Sequence, residues 1–475
     1  MKKYLFFLFL LFFTVKIFAQ QFSQYNTGTL YDSFENPAQK GFITDSSKMF
    51  ASNFLVPNID ANFFLSGNSQ TTLKSRAFLN KYNNAALLIN QGKNNQINAN
   101  VNAYWIMFKM FTSFNGDQEM GISAQTKIET RGLYSDESIA LFNGTQSFNN
   151  GSYDNVFHDN FLYQAYNQIS FTYKEKFNKQ FSFGMKLGLL LGVHYQKLNI
   201  TNSSVVFDKV LDAANLALAG TYQESYVPGN TSQTRDFLPT FRNPGASITI
   251  GAMFKTEDKF TLQANIKDMG FIHWSSLSSV YNYNNSAIIR GLSTAAREDS
   301  IYRKVSSIVH NNGVVKSFNT PVNGRAELSV MKSFWLDDDK MFKYSPTLIA
   351  SKELFYPGFT GALVNPIQYK KYNLTLITTY DDLKIFNLGA QFMLQTPNFE
   401  FFIGSDKIAQ TGSFFYQGLS KNVSSNGSFS GSDFFLGFSL KFGPIIEHPM
   451  NASSIPGGEK GFLSRFFGRL FKTNN

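Results

Sequence analysis

The chain has 475 residues, a formal net charge of +10, 16% aromatic residues and no cysteine. Without cysteine there are no disulfides, no thiolate metal sites, no cysteine nucleophile and no lipid attached through an N-terminal Cys. The basic excess does not point to nucleic acid, because Lys2, Lys3 and Lys16 sit at one end and Lys460, Arg465, Arg469 and Lys472 at the other, with no basic stripe between them.

At the start, Lys2 and Lys3 precede an apolar run from Tyr4 to Val15, and Phe18-Ala19 places a small residue before Gln20-Gln21. This is the pattern of a secretory signal peptide, residues 1–19, cut after Ala19. A transmembrane anchor fits less well, since the run is shorter than the roughly 20 apolar residues that cross a bilayer and Lys16 interrupts its end. Residues 20–46 show no alternation and carry Asn36-Pro37-Ala38 ahead of the first strand. They are expected to form a plug-like segment inside a lumen.

From 47 to 443 the dominant signal is period two, expected of strands that face two environments. Phe181, Phe183, Met185, Leu187, Leu189, Leu191, Val193 and Tyr195 share one face, against Ser182, Gly184, Lys186, Gly188, Leu190, Gly192 and His194. Such a run is long for a soluble sandwich and suits a tilted membrane strand of about 9 to 11 residues. Ala99 to Met107 repeats the pattern, as does the Met120–Ile128 set facing away from Glu119, Lys127 and Glu129. Phe260, Leu262, Ala264 and Ile266 alternate with polar residues, and so do Phe434, Phe438 and Phe442. The mean hydropathy of −0.18 is compatible with a membrane location, because only alternate residues of a barrel strand meet lipid. The 52 Phe and 22 Tyr suit a lipid-facing wall with aromatic girdles.

The expected fold is all-β: a transmembrane antiparallel β-barrel of about 14 strands, an even number as closure of a single-chain bacterial barrel requires. The first strand is expected at 55–66 and the last at 432–443, with a strand near 411–418 as a rival that would shift the count. Short turns near 174–179, 256–258 and 396–398 fall on one side, and the long polar stretches 133–159, 199–245, 268–322 and 407–431 on the other. That parity places both chain ends in the periplasm. Residues 71–92 and 285–309 look partly helical.

Residues 444–475 form a periplasmic tail. After Pro456-Gly457-Gly458, Phe462, Leu463, Phe466, Phe467, Leu470 and Phe471 recur at helical spacing, with Arg465, Arg469 and Lys472 opposite. This reads either as a basic amphipathic helix at a membrane interface or partner, or as a frayed end.

Three patterns resemble a family of uncharacterised Bacteroidota outer-membrane barrels. They are Leu30-Tyr31-Asp32-Ser33-Phe34-Glu35-Asn36-Pro37-Ala38, Lys267-Asp268-Met269-Gly270-Phe271-Ile272-His273-Trp274 and Phe402-Ile403-Gly404-Ser405-Asp406-Lys407. More distantly, the chain is similar to PorP/SprF-type barrels that accompany type IX secretion and gliding, and to FadL-type barrels that pass hydrophobic molecules. Gln21-Phe22-Ser23-Gln24-Tyr25 matches the opening of the former, but the residues after it do not continue their pattern. The resemblance implies a fold and a membrane, not an activity.

Chemistry is sparse. Asn426-Gly427-Ser428-Phe429-Ser430-Gly431 misses the Gly-x-Ser-x-Gly spacing of a nucleophile elbow. The five histidines are scattered, so no metal site and no cofactor are expected. Asp337-Asp338-Asp339 and Asp381-Asp382 lack EF-hand spacing and read as turns. Asp268 and Asp406, inside the family-like patterns, are expected as rim carboxylates that cap amides or pair with an interior base.

The expectation is a non-enzymatic channel or transporter for a small or hydrophobic solute in the outer membrane of a Gram-negative bacterium, gated by the 20–46 segment. The alternative is a barrel scaffold for a secretion or envelope complex. Expected partners are outer-membrane lipid, the barrel-assembly machinery and, through the tail, periplasmic or envelope proteins.

Overall fold

The computed structural model describes residues 22–112, 117–226, 238–382, 384–423 and 427–447. The expected signal peptide and the Arg465, Arg469 and Lys472 stretch lie outside the described residues.

The alternating segments form strands that pair antiparallel with their neighbours in sequence. β1 has two pieces, Lys48–Ser52 and Asn58–Ser66. β2 is Asn94–Phe111, β3 Gln118–Ser135, β4 Asn160–Lys176 and β5 Phe181–Asp208. β6 is Pro244–Lys255, β7 Phe260–Trp274, β8 Arg325–Lys332 and β9 Thr347–Glu353. β10 is Phe359–Tyr369, β11 Tyr372–Asp381, β12 Phe386–Gln395, β13 Phe399–Ser405 and β14 Phe429–Ile445. β14 returns to β1, with Leu436 opposite Ile59 and Lys441 opposite Ala51, and closes an antiparallel barrel of 14 strands. Closure removes the unpaired edge that an open sheet would expose. Among the described residues no helix is long and apolar enough to cross a membrane, so any crossing is made by strands.

The two faces divide by chemistry. Ile122, Leu187, Leu328 and Leu374 are exposed on the outside, whereas Glu119, Gln125, Lys186, Gln263 and Lys441 are buried inside. Two bulges reverse the expected parity. In β2 the register shifts between Tyr104 and Ile106, so Met107, expected outward, is fully buried. Between β4 and β5 the register shifts between Ala165 and Tyr166, and Tyr195 turns inward onto Trp274 at 5.4 Å between rings. His194, expected in the lumen, sits opposite Ala165 and packs against Tyr163, on the face of β5 opposite the inward-turned Tyr195. A bulge adds one residue to one strand, which flips every later side chain on it.

Among the described residues five α-helices accompany the barrel: α1 Leu30–Glu35, α2 Gln70–Leu79, α3 Asp136–Leu141, α4 Arg297–Val309 and α5 Ile408–Ser420. α5 occupies the span where a rival strand was considered, which leaves the count at 14. The stretches expected as long polar loops fold in part into a cap. The end of β5 continues beyond β6 and pairs with Ala213–Glu224, which pairs with Ser279–Arg290. Residues 285–290, expected to be partly helical, are therefore strand. Ile139, Phe148, Val205, Leu216, Leu218, Ile301 and Ile308 belong to one buried cluster beneath α3 and α4.

At the end of α4, His310 Nε2 lies 3.5 Å from Glu224 Oε1, between the rings of Tyr222 and Tyr281. The hydrogen bond to Glu224 raises the His310 pKa. The raised value means that this contribution is complete below the ordinary imidazole range and is lost as pH rises through the folded value. Hydrogen-exchange protection factors of α4 and of residues 213–224, corrected for the intrinsic pH dependence of exchange, are expected to be lower at pH 8.5 than at pH 6, and His310→Gln is expected to erase the difference.

The wall itself is testable on β5. Leu189→Arg places a charge on the lipid face, at a cost of roughly 2 to 4 kcal/mol near mid-membrane, and is expected to reduce the heat-modifiable folded band in gel electrophoresis. Lys186→Glu on the inner face is expected to be equally damaging, because Lys186 Nζ is 3.5 Å from Asp268 and the change sets two carboxylates together.

Candidate functional site: the plugged lumen

Residues 22–47 lie within the barrel. Thr29 caps α1, its hydroxyl accepting from the Asp32 N–H at 3.2 Å, and Asn36 ends the helix ahead of Pro37. α1 has six residues, too few to be stable alone, so the wall contacts fix its conformation.

The wall holds this segment chiefly by its backbone. Glu119 accepts from Gly41 N–H at 3.0 Å, Glu400 from Leu30 N–H at 2.7 Å and Asp406 from Phe22 N–H at 2.9 Å. Gln395 and Gln391 donate to the Thr27 and Ser23 carbonyls at 2.9 and 3.4 Å, and Asn265 donates to the Glu35 carbonyl at 3.0 Å. The anchoring carboxylates carry their own cations: Lys109 and Lys174 flank Glu119 at 3.0 and 2.9 Å, and Lys441 meets Glu400 at 2.9 Å. Apolar anchors reinforce the seat, with Tyr31 and Phe34 against Tyr104, and Phe22 beside Ile349 and Ile377.

Asn36, Pro37 and Ala38 sit in a slot made by two glycines. Gly184 of β5 faces Gly251 of β6 across the sheet. A Cβ at Gly184 would lie 2.1 Å from the Pro37 carbonyl oxygen, and one at Gly251 would lie 2.3 Å from Asn36 Oδ1. Asn36 donates to Gln263 at 3.1 Å and its oxygen accepts from Ala38 N–H at 3.1 Å, while Ser182 donates to the Ala38 carbonyl at 3.0 Å.

Asp268 is not at a strand end. β7 continues to Trp274, and a bulge between Ile266 and Met269 turns Lys267 and Asp268 inward together, with Asp268 at φ +46°. Asp is among the residues that tolerate this left-handed conformation. Asp268 pairs with Lys127 at 2.5 Å and Lys186 at 3.5 Å, and accepts from Gln168 at 3.0 Å. Next to it, Lys267 bridges Glu35 of the plug at 3.2 Å and Glu327 of the wall at 3.1 Å. Asp406 follows β13, and besides the Phe22 amide it directs its own N–H at Asp433. Lys407 reaches Asn62 at 3.3 Å.

Asp32, Glu35, Asp60, Lys127, Glu129, Lys267, Asp268 and Arg325 surround a cavity of about 90 Å³. That volume holds several water molecules, given roughly 10 to 15 Å³ of probe volume for each. Higher up, Arg131 pairs with Glu353 at 2.9 Å and stacks on Tyr356 at 4.0 Å. The three patterns singled out in the sequence thus converge: the first is the plug, the second supplies its ionic contact through Lys267, and the third supplies the Asp406 anchor. Glu119, Glu400 and Lys441 had no pattern of their own. Their signal was a charge at an inward position of an alternating strand.

The fold and site define a plugged transmembrane barrel with an ionised interior. The chain belongs to the Family of unknown function (DUF5723), whose model matches residues 42–406. No curated protein matches it. Among solved structures it is similar to a Pseudomonas aeruginosa FadL homologue, with 12% identity over 89% of this chain and 96% of that one and a TM-score of 0.40. It is also similar to the P. putida toluene transporter TodX, with 8% identity over 90% and 96% and a TM-score of 0.38. The translocator domain of autotransporter NalP from Neisseria meningitidis shows 6% identity over 84% and 90%, with a TM-score of 0.34.

Filling the glycine slot is expected to unseat the plug without breaking the barrel. Gly184→Val and Gly251→Val proteins should keep the heat-modifiable gel shift while Lys40 becomes a site of rapid trypsin cleavage. Cleavage at the wild-type rate in both variants would remove the slot from the account.

Proposed function

We propose that this protein is a gated channel or transporter for a small solute in the outer membrane of a Gram-negative bacterium, with residues 22–47 as its gate. The observation that carries the reading is the way the plug is held. Its seat combines backbone hydrogen bonds to wall carboxylates and amides and an ion pair through Lys267 with a buried apolar cluster in which Leu30, Tyr31, Phe34 and Phe42 pack on Tyr104, Met107, Phe111 and Phe402. Hydrogen bonds to charged groups contribute about 1.5 to 3 kcal/mol each, and water entering the lumen can replace them, so the segment can leave while the strand pairing that closes the barrel stays intact. The ionic lining favours a polar solute over a hydrophobic one along the axis, since an apolar molecule gains nothing from desolvating Lys127, Glu129 or Arg325. The role is non-catalytic.

A second reading, a scaffold for an envelope complex, is supported by the cap, which presents a folded platform with its own core above the long-loop end. One experiment separates the two. Deleting residues 22–42 is expected to raise conductance in planar bilayers strongly while preserving the heat-modifiable shift. A folded deletion protein that remains closed would overturn the channel and leave the scaffold.

A further inference from the structure

The short-turn end of the barrel holds a cavity of about 730 Å³ between the back of the plug and the inner wall. Lys40 from the plug and Lys255, Lys259, Lys343, Lys370 and Lys371 from the wall line it, and no carboxylate does. Lys370 and Lys371 lie over the rings of Tyr369 and Tyr372. Among the described residues, Lys40, Lys255, Lys259 and Lys343 form no ion pair. The adjoining cavity of about 440 Å³ shares Lys40 and Lys255 and adds Lys179. Its one carboxylate, Glu119, is already engaged by Lys109 and Lys174.

Cations gathered in a concave, partly desolvated space repel one another and concentrate the field on its centre. The effect is visible at Lys40, whose pKa is lowered by burial and then by Lys255 and Lys174. Residues 448–475 carry Lys460, Arg465, Arg469 and Lys472 against Glu459, so that stretch has a net positive charge of its own. Thr261, Ser333, Gln368 and Gln395 add hydroxyl and amide groups to the same lining. Such a mixture suits several oxygens on one compact, multiply charged solute.

We propose that this vestibule is a binding site for a small soluble polyanion of the phosphate or polycarboxylate class, and that the bound anion latches the plug. Lys40 belongs to the segment that moves and the other lysines to the wall, so an anion between them turns repulsion into a bridge. Binding rests on the vestibule alone. The latch rests on the gating reading above.

The probe is inorganic pyrophosphate, titrated calorimetrically into the full-length protein in detergent at low salt. Saturable binding is expected, weakened about tenfold for each of Lys40→Gln, Lys255→Gln and Lys343→Gln, and weakened further by added salt. Lys316→Gln, at a lysine away from the vestibule, should leave it unchanged. No saturable binding to wild type, or binding undiminished in the triple variant, would overturn the site. For the latch, pyrophosphate on the short-turn side should suppress spontaneous opening of wild type and have no effect on Lys40→Gln. A calorimetric signal without that suppression would overturn the latch and leave the anion site standing.

Discussion

A charged side chain inside a barrel wall has to be paired or hydrogen-bonded by something within reach, and here lysines of the wall share that role with the enclosed segment. Glu119, Glu400 and Asp406 project into a space too confined for full hydration, and each is met by a plug amide. Losing one hydrogen bond to such a carboxylate costs about 1.5 to 3 kcal/mol. The wall and the segment it encloses are therefore one electrostatic unit. This accounts for acidic residues at inward positions of strands that otherwise need only fit lipid outside and water inside.

The same constraint explains the bulge at Asp268. An ordinary strand presents inward side chains every second residue, but the site needs a cation for Glu35 and an anion for Lys127 and Lys186 at adjacent positions. Inserting one residue supplies both from a single strand. The lumen beyond is organised in levels: a lysine-lined mouth, the ionic belt around the plug, the arginine and aromatic residues above it, and the cap with its separate core.

Much of this was legible in the residues. Alternation located the strands and their number because each strand is long and its two faces meet very different solvents. The early break in alternation at 20–46 marked the segment found inside. What escaped were the features that alternation cannot encode. Bulges at Tyr104 and near Gly192 leave composition unchanged yet reverse the side on which Met107, His194 and Tyr195 lie. The cap was hidden because its strands look like polar loop, although Leu216, Leu218 and Tyr222 alternate within 213–224 and are all buried. Glycines 184 and 251 carried no visible message, since a missing side chain acquires meaning only when its partner across the sheet and the Asn36-Pro37-Ala38 backbone are in place.

That glycine slot bears on how the molecule is assembled. It exists only where β5 and β6 are already side by side, and the three carboxylates that hold the plug come from residues 119, 400 and 406, which a closed cylinder alone brings around one axis. The segment nearest the beginning of the chain is then the last to reach its place. Until the final strand meets the first its seat is incomplete, so full docking belongs with the closure of the barrel.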